Sequence, residues 1–223
     1  MENYFNLFWI IFSYVLGSIP FGYIITRLST KKNILEVGWR KTSGSNVFKN
    51  IGKWQGVLTG FLDVGKGFLA VMAAQCLGLP VLIQVLSGVA AVTGHNWSCF
   101  LRFAGGRGIG TFVGAALSLS TRILGLSLIV PVILALVWNA SIGTILFLIT
   151  FIVLSVCQNQ FETGGLLGLI SLIPIFIKRL SPIEEIKKAQ NKGVLLRNRL
   201  IFDDDIPYLE LRIKRIIRKL TKR

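Results

Sequence analysis

Apolar residues in this chain come in long runs separated by short polar breaks, without strict alternation or a one-sided helical stripe. A hydrocarbon core about 30 Å thick needs roughly 20 such residues to be crossed by a helix. The run from Tyr4 to Leu28 meets that length, as does Gly56 to Leu77, although the latter carries Asp63 and Lys66. Pro80 to Thr93 and Ile109 to Ser120 are shorter and lie either side of a glycine-rich break. Short helices of that kind fit a protein-lined cavity, where irregular backbone is tolerated at membrane depth. Ile123 to Trp138, Ile142 to Cys157 and Leu166 to Ile177 complete seven segments. The pattern predicts an all-α integral membrane fold: seven transmembrane helices, with short ones flanking a glycine-rich cytoplasmic loop. The first run has neither a basic leader nor a small-residue cleavage site, so it reads as a retained helix.

Composition agrees with a membrane assignment. Of 223 residues 52% are hydrophobic and 16% charged, against about a quarter charged in a typical soluble domain. The charge is also segregated. Between Gly56 and Ile177 the ionisable groups other than Cys and Tyr are Asp63, Lys66, His95, Arg102, Arg107, Arg122 and Glu162. The loop Arg27–Lys53, the connection holding Arg102 and Arg107, and the region after Lys178 are all basic. With seven crossings these fall on one face, so the positive-inside rule predicts the N-terminus outside and the C-terminus in the cytoplasm. The formal charge of +15 comes without an aromatic-interleaved basic surface, which argues against nucleic acid and for anionic membrane lipids. The chain divides into a transmembrane domain, 1–180, and a basic cytoplasmic tail, 181–223. From Pro207 the tail has the pattern of an amphipathic helix suited to the headgroup layer or to packing on the protein's own loops. Asp203-Asp204-Asp205 reads as a solvated turn or a helix start. Cys76, Cys99 and Cys157 lack metal-ligand spacing and read as small packing residues.

The stretch Gly94-His95-Asn96 to Gly105-Gly106-Arg107-Gly108-Ile109-Gly110-Thr111 holds the single histidine, two arginines and a run of glycines. Without Cβ atoms, successive N–H groups can converge on an anion, and a neighbouring arginine neutralises it. Lys41 to Lys53 interleaves Ser43, Ser45 and Asn46 with lysines, including Lys49. That suits either a second anion site or plain turn material. Asp63 and Lys66, three apart, share a helix face and either pair structurally or leave Lys66 to substrate. His95 is either a general base or a structural cap. One histidine without clustered carboxylates or thiols cannot complete a metal shell, so no metal or cofactor is expected.

Several motifs together resemble the bacterial PlsY family of integral-membrane acylphosphate:glycerol-3-phosphate acyltransferases. They are Gly17-Ser18-Ile19-Pro20-Phe21-Gly22, Ser45-Asn46…Gly52-Lys53, Asp63-Val64-Gly65-Lys66-Gly67 and Gly94-His95…Gly105-Gly106-Arg107-Gly108…Thr111. The resemblance implies seven transmembrane helices in the bacterial inner membrane and active-site loops in the cytoplasm. It also implies transfer of a fatty acyl group from acyl phosphate to glycerol 3-phosphate, giving lysophosphatidic acid without metal or acyl-CoA. Arg107, Lys49 and Ser45 would be catalytic. Ser43, Asn46, Lys66, Gly94, His95, Gly105, Gly106, Gly108 and Thr111 would bind substrate.

Three features depart from the family pattern. Where the family's first loop motif begins Gly-Ser-Gly-Asn, this chain has Gly38-Trp39-Arg40-Lys41. The loop lysine is replaced by Arg107, a planar fork in place of a point charge. The family's C-terminal motif, rich in His, Arg and Asn, has no counterpart at Ser181–Lys188. The enzyme is the leading expectation. A catalytically inactive paralogue that binds lipid or acyl phosphate, and a small-solute transporter, are the alternatives.

Overall fold

The computed structural model describes residues 2–137, 140–181 and 183–203, which are helical with no strand among them. The amphipathic pattern expected from Pro207 lies outside the described residues, as do Asp204 and Asp205.

The first apolar run is two helices rather than one, α1 (Glu2–Ser18) and α2 (Phe21–Thr30). Pro20 has no N–H to continue the ladder, and its ring clashes with the preceding turn. At the break the Ile19 carbonyl accepts from Phe21 N–H at 3.1 Å and from Lys66 Nζ at 2.9 Å. A buried cation thus satisfies an acceptor that an unbroken helix would not expose.

After α3 (Gly44–Asn50) come the long α4 (Lys53–Cys76) and α5 (Val81–Asn96). The glycine-rich loop leads into α6 (Ile109–Leu119), followed by α7 (Thr121–Val137) and α8 (Ala140–Cys157). A π-helical turn at Phe161–Gly165 feeds α9 (Leu166–Arg179). By length and composition, three described stretches suffice alone to cross a membrane: Glu2–Thr30, Lys53–Cys76 and Phe161–Arg179. Apolar helices at Ile109–Leu119 and Ser141–Cys157 are shorter.

Helix α4 is inverted relative to a soluble protein. Trp54, Val57, Phe61 and Leu69 are exposed, whereas Thr59, Asp63 and Lys66 are buried. Hydrocarbon reverses the usual solvation preference, so the polar face turns inward. Helix α4 packs on α6 and α1 on α5, in both cases through glycine. A Cβ on Gly67 would stand 2.0 Å from the Thr111 carbonyl oxygen, and one on Gly114 1.9 Å from that of Val64. Small residues let such backbones touch, which supplies packing that lipid-facing apolar surface cannot. Phe112, Phe147 and Phe151 seal the neighbouring core, with the Phe112–Phe151 centroids 5.3 Å apart at 77°.

Gly67→Ala and Gly114→Ala should each cost about 1–3 kcal/mol by overpacking. Gly60→Ala on the same helix meets nothing within 4 Å and serves as the neutral control. Thermal unfolding in detergent reads the difference; equal midpoints for all three variants would refute the contact.

Two further helices, α10 (Ile183–Lys188) and α11 (Lys192–Phe202), follow α9. Helix α11 docks on α8 and α9. Arg179 Nη1 donates to the Leu200 carbonyl at 2.7 Å and to Ser141 Oγ at 3.0 Å. Arg199 Nη1 donates to the Leu180 carbonyl at 3.1 Å.

Candidate functional site: a cationic pocket on a glycine loop

The glycine-rich loop is built from beneath by the end of α5. Gly106 N–H donates to the His95 carbonyl at 3.0 Å. A Cβ on Gly106 would stand 2.0 Å from His95 Nε2, and one on Gly105 2.3 Å from the His95 carbonyl oxygen. Both positions therefore require glycine for close approach to the imidazole and its backbone. Gly108 has φ of 80°, which no other residue adopts cheaply, and turns the chain into α6. Ser98 Oγ ties the loop base to the Ser18 carbonyl at 2.5 Å, and Asn96 Nδ2 ties it to the Pro174 carbonyl at 2.9 Å.

His95 is only 5% exposed. Its Nδ1 lies 3.3 Å from Asp63 Oδ1, and Lys66 Nζ lies 3.1 Å from the same oxygen. That oxygen has no aligned hydrogen bond; Lys66 and Asp63 form a buried ion pair, and the imidazole packs against the same carboxylate. The expected Asp63–Lys66 pair is present, and it extends to a third member.

The first basic loop is folded around Asn46. Its Nδ2 donates to the carbonyls of Val37 at 3.1 Å and Lys41 at 2.8 Å, and its Oδ1 accepts from Trp39 N–H at 3.0 Å. Ser43 Oγ and Ser45 Oγ lie 3.3 Å apart. Thr42 N–H donates to the Gly105 carbonyl at 3.3 Å, so the two loops are one surface. Trp39 joins them again: Lys49 Nζ lies 4.5 Å and the Arg107 guanidinium carbon 4.4 Å from its ring centroid. Cation–π attraction of this kind steadies both cations without consuming their charge.

The structure thus joins Arg107, Lys49 and the Gly105–Gly108 loop through Trp39 and Thr42, with Ser43 and Ser45 following Thr42 on the same loop. Lys66, Gly94, His95 and Thr111 lie beneath them, buried among helices. A Cβ on Gly94 would stand 2.1 Å from the Tyr14 carbonyl oxygen, so this glycine packs α5 on α1.

Two members of the pocket were not singled out by sequence. Lys41 is 7% exposed, and its Nζ lies 3.1 Å from Asp203 Oδ1. Burial holds the Lys41 ammonium below the ordinary lysine range; Asp203 partly offsets this, while Arg107 and Arg199 add to it. Asp203 itself was expected in a solvated turn or helix start. Instead it caps the C-terminus of α11 at φ 51° with 8% exposure, and its other oxygen pairs with Arg107 Nε. Long-range pairing of this kind leaves no local sequence signal.

Among the described residues the fold is all-helical, with apolar helices of membrane-spanning length, and the glycine-rich loop between α5 and α6 carries Arg107 against Trp39 beside Lys49. The glycerol-3-phosphate acyltransferase family model matches residues 7–189. A glycerol-3-phosphate acyltransferase of Prochlorococcus marinus (strain MIT 9312) is 32% identical over 193 residues, covering 85% of this chain and 98% of the relative. A second, from Dehalococcoides mccartyi (strain CBDB1), is 32% identical over 201 residues, 86% of each chain. The crystal structure of PlsY in its glycerol 3-phosphate form superposes with a TM-score of 0.68 at 27% identity, over 92% of this chain and 98% of that one. Its lysophosphatidic acid form gives the same TM-score at 28% identity, over 82% and 92%. The chain belongs to the glycerol-3-phosphate acyltransferase family, of which PlsY is a member.

Proposed function

We propose that this protein transfers a fatty acyl group from acyl phosphate to the 1-hydroxyl of glycerol 3-phosphate, releasing lysophosphatidic acid and inorganic phosphate. The observation that carries this is the pocket in which Arg107 and Lys41 converge on one anion position at the rim of the Gly105–Gly108 loop. The glycerol hydroxyl oxygen bonds to the acyl carbonyl carbon, and the carbon–oxygen bond to phosphate breaks. The hydroxyl proton leaves on the departing phosphate, so no protein base is needed. Acyl phosphate is already activated, and positioning with charge neutralisation supplies the acceleration. Lys49, Ser43 and Ser45 line the acceptor side. Lys66, His95, Asn46, Gly94 and Thr111 position the loops from within the protein.

Seven apolar segments lie in the bilayer, the short ones ending within the protein, with the N-terminus outside, the Arg107 site and residues 181–223 in the cytoplasm, and the acyl chain between helices in the hydrocarbon. Support for this orientation comes from the basic loops sharing one side.

Purified protein in detergent, given palmitoyl phosphate and radiolabelled glycerol 3-phosphate, should label lysophosphatidic acid. Absence of label from folded protein would instead favour the non-catalytic binder. The same assay has a pH signature. Because the Lys41 pKa is lowered, its charge is lost as pH rises through a value below the ordinary 10.5. The KM for glycerol 3-phosphate should therefore rise on that alkaline limb, and Lys41→Met should remove the rise while raising KM at neutral pH. An unchanged limb in Lys41→Met would take Lys41 out of the site.

A further inference from the structure

Asp203 places a carboxylate where the substrate phosphate is to bind. One oxygen lies 3.1 Å from Lys41 Nζ, the other pairs with Arg107 Nε, and Arg107 Nη2 lies 3.4 Å from the Asp203 carbonyl oxygen. Arg179 and Arg199 are close enough for their charges to act on this pocket. A carboxylate spread over an arginine and a lysine uses the donors that phosphate oxygens would use. The two anions cannot hold the same N–H groups at once.

The segment that carries Asp203 is clamped. Arg179 and Arg199 hold the Leu200 and Leu180 carbonyls, Arg199 Nη2 pairs with Glu185 Oε2 at 2.5 Å, Arg40 Nη2 reaches the same oxygen at 3.0 Å, and Arg40 Nη1 pairs with Glu185 Oε1. Asp203 also lies beyond residue 189, where the family match ends.

We infer that Asp203 is an intramolecular anion that occupies the phosphate cradle and must be displaced before glycerol 3-phosphate or acyl phosphate binds. This rests on the reading of the Arg107 loop as the phosphate site. A tethered group competes at an effective concentration on the order of millimolar. Apparent substrate affinity is then reduced by the fraction of molecules with the pocket open. Release requires α11 to lift from α8 and α9, which couples substrate entry to movement of residues 192–203.

The test uses the full chain in detergent. Asp203→Asn should lower the KM for glycerol 3-phosphate about tenfold, the scale of one charge-assisted contact, with kcat unchanged. Inhibition by inorganic phosphate should tighten by a similar factor. Glu185→Gln, which loosens the clamp and leaves the pocket intact, should act in the same direction and less strongly. Independently of turnover, inorganic phosphate should speed amide exchange across residues 192–203 in the wild type and leave the already open Asp203→Asn unchanged. Unaltered KM together with phosphate-insensitive exchange would overturn the inference, and so would a collapse of kcat in Asp203→Asn, which would make the carboxylate part of the catalytic machinery. A wild type that lacks activity but shows phosphate-driven exchange would sink the acyltransferase reading and leave the displacement standing.

Discussion

Arg107→Ala lowers kcat/KM for acyl transfer by about 10²- to 10³-fold, the usual loss when one preorganised cation or donor is removed from a developing charge. The guanidinium lies against Trp39, pairs with the anion position shared with Lys41, and sits at the rim of a loop that only glycine can form. Arg107→Lys should recover part of the loss by restoring charge without the planar fork that stacks on the indole. Its deficit should fall mainly on KM. Steady-state rates with palmitoyl phosphate and glycerol 3-phosphate provide the measurement, with a circular-dichroism check of folding. Full activity in Arg107→Ala would remove the phosphate cradle from this loop.

Asp63→Ala is expected to be the most destabilising single change described here. It would leave Lys66, whose side chain is 2% exposed, without its counter-charge, and His95, 4% exposed, without the carboxylate it packs against. Breaking a buried pair by deleting one partner typically costs about 3–5 kcal/mol. At roughly 2–4 °C per kcal/mol for a chain of this size, the thermal midpoint in detergent should fall by about 10 °C. The double variant Asp63→Ala/Lys66→Met should recover much of that loss, because the orphaned ammonium is removed with its partner. Activity should fall even where the protein stays folded, since the imidazole and carbonyl of His95 form the floor under Gly105 and Gly106. A midpoint within a degree or two of wild type would mean the cluster is solvated and does not support the loop.

The glycine-rich loop was legible without coordinates because its chemistry is local: glycines, an arginine and a following helix within one short stretch. The apolar segments were legible for the same reason, since each helix needs only its own run of side chains to prefer hydrocarbon. Pro20 was visible in the sequence, yet the break it makes mattered only once Lys66 was found on the Ile19 carbonyl. Trp39 stands where the family's first loop motif has serine. In the structure its indole is the surface on which Lys49 and Arg107 both rest.

What the amino-acid order alone determined is the membrane character and the place of the glycine-rich loop between two apolar segments, both consequences of local solvation and local backbone freedom. Tertiary packing decided which charges meet. It brought His95 to Asp63 across α4 and α5, Lys41 to Arg107 across two loops, and Asp203 into the space between those two cations. Burial makes such meetings energetically decisive, and distance along the chain carries no trace of them.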